Sequence, residues 1–101
     1  MHYYTLKDYL ELADRTGLLS GSELMGKEDL EIKYLTFNSK DVRPGSLFVC
    51  KGVSFKAEYL LEAVAKGAVA YISETDYSDY VRVPAIFVSN IRKAMPPLAE
   101  M

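Results

Sequence analysis

The spacing of apolar residues along this chain changes period several times, and each change predicts an element. Leu6, Tyr9, Leu10 and Ala13 recur at helical spacing, with Thr5 in the N-cap position, Asp8 three residues later and Gly17 as a stop. Residues 18–30 mix Gly, Ser and charges with scattered Leu and Met, which predicts a loop with room for one helical turn. Ile32, Tyr34 and Thr36 then alternate with Glu31, Lys33 and Leu35, so 31–37 reads as one strand. Pro44-Gly45 is turn chemistry. Leu47 to Cys50 is short and continuously apolar, as a strand covered on both faces should be.

The second half repeats the alternation. Ala57 to Lys66 carries the stripe Tyr59, Leu60, Ala63, Val64 and predicts a helix ended by Gly67. Ala68 to Ser73 and Ala85 to Val88 read as strands, and Ser89 or Asn90 caps a last helix from Ile91. Pro96-Pro97 should end or kink that helix, because proline lacks an N–H and disfavours helical geometry before it. This order predicts an α/β fold, a layered βαβ domain with a small, largely parallel sheet flanked by helices.

Composition narrows the class. With 101 residues, half of them hydrophobic and 26% charged, the chain is a single globular domain spanning residues 1–101. A net charge of −2 gives no basic surface for nucleic acid. The N-terminal segment is amphipathic and acidic, neither a signal peptide nor a membrane span. The single cysteine, Cys50, lies inside an apolar run, which fits a core thiol in a reducing, cytoplasmic setting. His2 is the only histidine, so neither a histidine triad nor a zinc site is available, and no residue is assigned a catalytic or metal-binding role. Glu74, Asp76 and Asp79 read as a solvated turn. Tyr34, Tyr59 and Tyr71 read as core or half-buried. No G-x-x-x-x-G-K-[ST] or G-x-G-x-x-G segment exists, so no cofactor is assigned to this domain.

The remaining chemistry gathers at two predicted strand ends. Parallel sheets bind ligands beyond the carboxyl ends of their strands. Asn38-Ser39-Lys40 follows one strand, and Lys51 to Phe55 joins the next to a helix. Ser39 and Ser54 offer hydroxyls to a base edge, a ribose or a phosphate. Lys40 and Lys51 supply positive charge near a pyrophosphate, and Gly52 lets backbone N–H groups approach an anion ahead of a helix N-terminus. Phe37 and Phe55 can sandwich a flat base. The competing reading is plainer: Ser39 caps a turn, Ser54 caps the helix, and both lysines are solvated.

The segments TFNSKDVRPGSLFVCKG, FKAEYLLEAVAKGAVAYISE and VPAIFVSNIRKAMPPLAEM together resemble the N-terminal domain of the Mur ligases, most closely the MurE branch, the UDP-N-acetylmuramoyl-tripeptide synthetases. The family pattern is a D-S-R strand end, P-G-D-L-F-V-A, a K-G loop, a helix, G-A-x-A, and V-P-x-I-x-V before an R-x-A helix. The likeness runs from about Ile32 to the end. It implies that this domain holds the UDP part of UDP-MurNAc-L-Ala-D-Glu. A central domain would bind ATP and Mg2+, and a C-terminal domain the incoming amino acid, both outside this chain. By position the resemblance places UDP contacts at Phe37, Ser39, Val53, Ser54 and Phe55, with Lys40 as a neighbour. Asn38 and Lys40 replace the usual Asp and Arg, and the VSFKAEY loop lacks the common D-G-H. K-G-x-x-F-K-x-E-Y-L resembles the lysine-adding type. MurF-type ligases share much of the pattern, and a stand-alone nucleotide-binding module of the same fold is the reading from a different class.

Overall fold

Why the first helix starts where it does is visible in its cap. Thr5 Oγ1 accepts from the Asp8 N–H at 3.3 Å, while Asp8 Oδ2 accepts from the Thr5 N–H at 2.8 Å. This reciprocal box satisfies two N–H groups that the helix itself cannot. The computed structural model describes residues 3–51 and 55–99. Its elements run β1 (Tyr4–Thr5), α1 (Leu6–Arg15), β2 (Leu19–Glu23), β3 (Glu31–Ile32), β4 (Tyr34–Thr36), a 3-10 turn (Ser39–Asp41), β5 (Ser46–Val49), α2 (Ala57–Ala65), β6 (Ala68–Ser73), β7 (Ala85–Val88) and α3 (Ile91–Ala99).

The main sheet has the order β2-β7-β6-β5-β4, and β1 pairs with β3 separately. β4, β5, β6 and β7 are mutually parallel, and only β2 runs antiparallel, against β7. The predicted layered α/β architecture is therefore the observed one. Strand alternation divides the core. Leu47, Val49, Ile72, Ile86 and Val88 face α1 and α3, packing with Leu6, Tyr9, Ala13, Ile91, Ala94 and Leu98. Phe48, Cys50, Tyr71 and Ala85 face the other way, onto Leu60 and Ala63 of α2. Each fully buried Leu or Ile contributes about 2 kcal/mol.

Three expectations need correction and one is narrowed. Residues 18–30 contain β2, an edge strand whose sequence LSGSE has no apolar alternation. It forms because β7 presents a free edge for it to pair with, from Leu19 opposite Val88 to Glu23 opposite Ala85. The single strand expected over 31–37 is two: the Lys33 N–H donates to Gly45 O at 3.0 Å, and the chain passes there from β1 to β5 as its partner. Of the two outcomes expected at Pro96-Pro97, an end or a kink, the end does not occur, since α3 runs on to Ala99. Both prolines stand away from the buried stripe Ile91, Ala94 and Leu98, so the carbonyls of the exposed Arg92 and Lys93 that lose their donors can face water. Finally, Tyr59 is exposed, whereas Tyr71 is buried and Tyr34 half-buried.

The amino ends of the parallel strands are closed by a tight turn. Gly45 has φ +86° and donates its N–H to Gly67 O at 3.0 Å. Gly67 itself has φ +115°, and a Cβ there would stand 2.7 Å from Pro44 Cα. Ser46 is fully buried beside them. Its hydroxyl donates to Arg43 O at 2.6 Å and accepts from the Arg43 N–H at 3.0 Å.

Candidate functional site

Because four strands are parallel, their carboxyl ends open together at the edge opposite that turn. β4 delivers Phe37 to Lys40 there, and β5 delivers Lys51. The first loop is shaped by two short side-chain brackets. Thr36, buried at the end of β4, accepts the Asn38 N–H at 3.1 Å, and Asn38 Oδ1 accepts the Lys40 N–H at 3.0 Å. These bonds turn the backbone into the 3-10 segment. From the far side, Lys66 at the end of α2 donates to Ser39 O at 3.1 Å and also pairs with Glu62 at 2.9 Å. The turn is thus fixed through its backbone.

What this leaves free is informative. The half-buried Ser39 hydroxyl bonds to none of the described residues, and the turn cap is Asn38 rather than Ser39. Phe37 is 56% exposed despite following a strand directly. Lys51 Nζ sits 4.6 Å from the Phe37 ring centroid, joining the two loops by a cation–π contact. Ion pairs among the described residues are Lys7–Glu11 and Lys66–Glu62, so neither Lys40 nor Lys51 meets a carboxylate there.

Phe55 has a different setting. Its ring lies 5.6 Å from Tyr77, 6.1 Å from Tyr59 and 6.5 Å from Phe48 by centroid, half-buried against the core on the α2 side. Among the described residues it makes no ring pair with Phe37. Gly52, Val53 and Ser54 lie outside the described residues. The α2 N-cap is Lys56, whose side chain makes no capping hydrogen bond, and no side chain among the described residues accepts from the first turn of that helix.

The other helix at this edge is already satisfied. Glu74, following β6, accepts the Ile91 N–H at 2.7 Å, and Asn90 Oδ1 accepts the Lys93 N–H at 3.0 Å. Glu74 is therefore a helix cap and not merely part of a solvated turn. Its carboxylate fills the place that an anion would take at the start of α3.

Burial pushes the Cys50 thiol up to about 12, slightly opposed by a hydrogen bond to Ser73. It stays protonated at neutral pH and serves as core, not as a nucleophile. The Tyr34 hydroxyl is also raised, first by its 2.6 Å hydrogen bond to Asp41. No group of three His, Cys, Asp or Glu among the described residues could hold a metal ion. No helix there is long and apolar enough to cross a membrane.

Comparison with known proteins finds relatives by sequence and neighbours by fold. The chain is 40% identical over 86 residues to a UDP-N-acetylmuramyl-tripeptide synthetase of Ligilactobacillus salivarius, a match covering 85% of the chain and 16% of that protein. It is 43% identical over 67 residues to the UDP-N-acetylmuramoyl-L-alanyl-D-glutamate--L-lysine ligase of Streptococcus thermophilus, covering 66% and 14%. The chain is a homologue of the MurE-type Mur ligases. It matches 14% to 16% of the length of these two relatives. No family model matches it. A crystal structure of MurF from Acinetobacter baumannii superposes with a TM-score of 0.70 at 21% identity, over 94% of this chain and 20% of that one, and shows the shared fold.

Set beside the Mur ligase strand end D-S-R, the two replacements differ in consequence. Asn38 caps the turn with a side-chain oxygen just as Asp would, so the backbone path survives the change. Lys40 keeps the charge but gives up the planar fork of Arg, and with it bidentate pairing to a phosphate. Thr36 and Lys66 were not singled out from the sequence, and Asn38 was named as part of the polar cluster but not as its turn cap. The Thr-x-Asn spacing of the two brackets was present in the sequence as a turn signal; the Lys66 contact, 27 residues from Ser39, had none.

Proposed function

We propose that this chain is the nucleotide-holding domain of a MurE-type ligase. It grips the UDP end of UDP-MurNAc-L-Ala-D-Glu while a diamino acid, L-lysine or meso-diaminopimelate, is joined to the other end in cytoplasmic peptidoglycan precursor synthesis. The observation that carries the reading is the cluster at the carboxyl ends of β4 and β5: an exposed Phe37, an unpartnered Ser39 hydroxyl, and Lys40 and Lys51 free of carboxylates among the described residues. An aromatic face suits a base, a hydroxyl suits a ribose or base edge, and the cations suit a diphosphate. The names of the two relatives point to the same substrate, and one of them to lysine.

ATP with Mg2+ would activate the substrate carboxylate in parts of the enzyme beyond this chain, which carries no phosphate loop of its own. The contribution of this domain is positional. Anchoring the remote nucleotide fixes the reacting carboxylate and lowers the entropic part of the barrier without any catalytic group here. A MurF-type ligase is the alternative, since the solved neighbours share the fold, but the activities named for the relatives favour MurE.

A chemical-shift titration of the chain with UDP and UDP-MurNAc tests the reading. Shifts should cluster at residues 37–40 and 51–55. Scattered shifts, or none at millimolar ligand, would overturn it and favour a fold-sharing module with another partner.

A further inference from the structure

The contact between Lys51 and Phe37 has a feature that simple base stacking does not explain. The ammonium lies 4.6 Å from the centroid of the exposed Phe37 ring, over the face where a base would otherwise stack. We propose that Lys51 selects for charge on the ligand: its ammonium, which here rests on the Phe37 ring, moves to the diphosphate of a bound nucleotide as the base takes that ring. This rests on the nucleotide-site reading above.

Three observations make Lys51 the residue for this role. It is half-buried and lies on the loop just beyond β5, beside Phe37 on the loop beyond β4, and those strands are register partners at Thr36 and Phe48. It has no carboxylate partner among the described residues, unlike Lys66, which is committed to Glu62 and to the Ser39 carbonyl. Its flexible four-carbon stem can shift the ammonium by several Å through rotamer changes alone. The exchange runs downhill for a nucleotide, because a cation–π contact at an exposed ring is weaker than a charge-assisted hydrogen bond to phosphate. A nucleoside without phosphate must displace the ammonium and offers it nothing in return. The same lysine therefore favours diphosphates and disfavours bare nucleosides.

The test compares UDP with uridine, by calorimetric or NMR titration of the chain and its Lys51→Met and Lys51→Arg variants, each first checked for an unchanged melting temperature. Lys51→Met should weaken UDP by about tenfold while leaving uridine unchanged or tighter, so the preference for UDP collapses. Lys51→Arg should keep that preference. If Lys51→Met weakens UDP and uridine equally, or changes neither, Lys51 is not the selector. Lys51 loses the role as well if Lys51→Arg behaves like Lys51→Met, because charge would not be the cause. Unaltered UDP preference in Lys51→Met, with wild-type shifts still centred on residues 37–40, would remove only this role. Failure of the wild-type chain to bind UDP would overturn the role and the site reading together.

Discussion

The two ends of the parallel sheet are built on opposite terms. At the amino ends the chain is closed on itself. Gly45 and Gly67 interlock by a backbone bond, a Cβ on Gly67 would collide with Pro44, and the Ser46 hydroxyl is buried with both a donor and an acceptor bond made. At the carboxyl ends the backbone is also held, by Thr36 and Asn38 and by Lys66 reaching in from the far end of α2, yet among the described residues the Phe37 ring is covered only by the Lys51 ammonium, the Ser39 hydroxyl has no partner, and Lys40 and Lys51 meet no carboxylate. Side-chain chemistry spent inward gives stability. Chemistry left outward on a fixed backbone is what the proposed nucleotide site would draw on. Substitutions at the two ends should therefore separate stability from binding.

The sharpest separation comes from Gly67→Ala. Its φ of +115° is left-handed backbone that a side chain rarely adopts, and the 2.7 Å approach is to backbone, which cannot swing away. The expected cost is about 3 kcal/mol of stability, read by urea denaturation. Nucleotide affinity of the molecules that remain folded should be unchanged. A loss below about 1 kcal/mol would mean that the Pro44 turn relaxes freely and that the amino end is not the rigid one.

Phe37→Ala is the mirror image. The ring is 56% exposed, so removing it should alter stability by no more than about 0.5 kcal/mol. UDP affinity should fall by about 2 kcal/mol, the usual worth of a base stacked on an aromatic ring. If instead the melting temperature drops and UDP binding holds, the ring is a hydrophobic cover for the loop, and the contrast between the ends fails.

How much of this could be read from the sequence also divides between the two ends. The amino-end turn is spelled out by Pro44-Gly45 and by Gly67 after a helix, because backbone conformations that only glycine tolerates leave a residue-type signature. β5, β6, β7 and the helices were equally legible from burial period and caps. β2 was not, because its strand character comes from the open edge of β7 and not from LSGSE itself. Whether α3 would end or continue at Pro96 was left open, because the prolines lie away from the buried stripe and which face a proline occupies is set by packing. At the site, Phe37, Ser39 and Lys40 stand together at a strand end as their spacing suggested, and Lys51 is the nearby cation from the second loop. The setting of Phe55 was hidden, since its partners Tyr59 and Tyr77 come from a helix and a loop that only the folded chain brings to it.

Two serines, one at each end, test the comparison most finely. Ser46→Ala strips a buried turn of a donor and leaves the Arg43 N–H without its 3.0 Å acceptor, so about 1.5 kcal/mol of stability should be lost with UDP binding intact. Ser39→Ala should do the reverse, and more weakly. The Ser39 hydroxyl bonds to none of the described residues, while the turn is held by Asn38 and by the Lys66 bond to the Ser39 carbonyl, both of which survive the substitution. Stability should therefore stay within about 0.5 kcal/mol of wild type. If the hydroxyl meets the nucleotide, removing it should cost about 1 kcal/mol of binding, roughly a fivefold rise in the Kd for UDP. Thermal melts and a UDP titration on the same preparation decide between the two roles. A sharp fall in melting temperature with unchanged UDP affinity would make Ser39 part of the turn rather than of the site, and would leave Phe37 and the two lysines to hold the ligand without it.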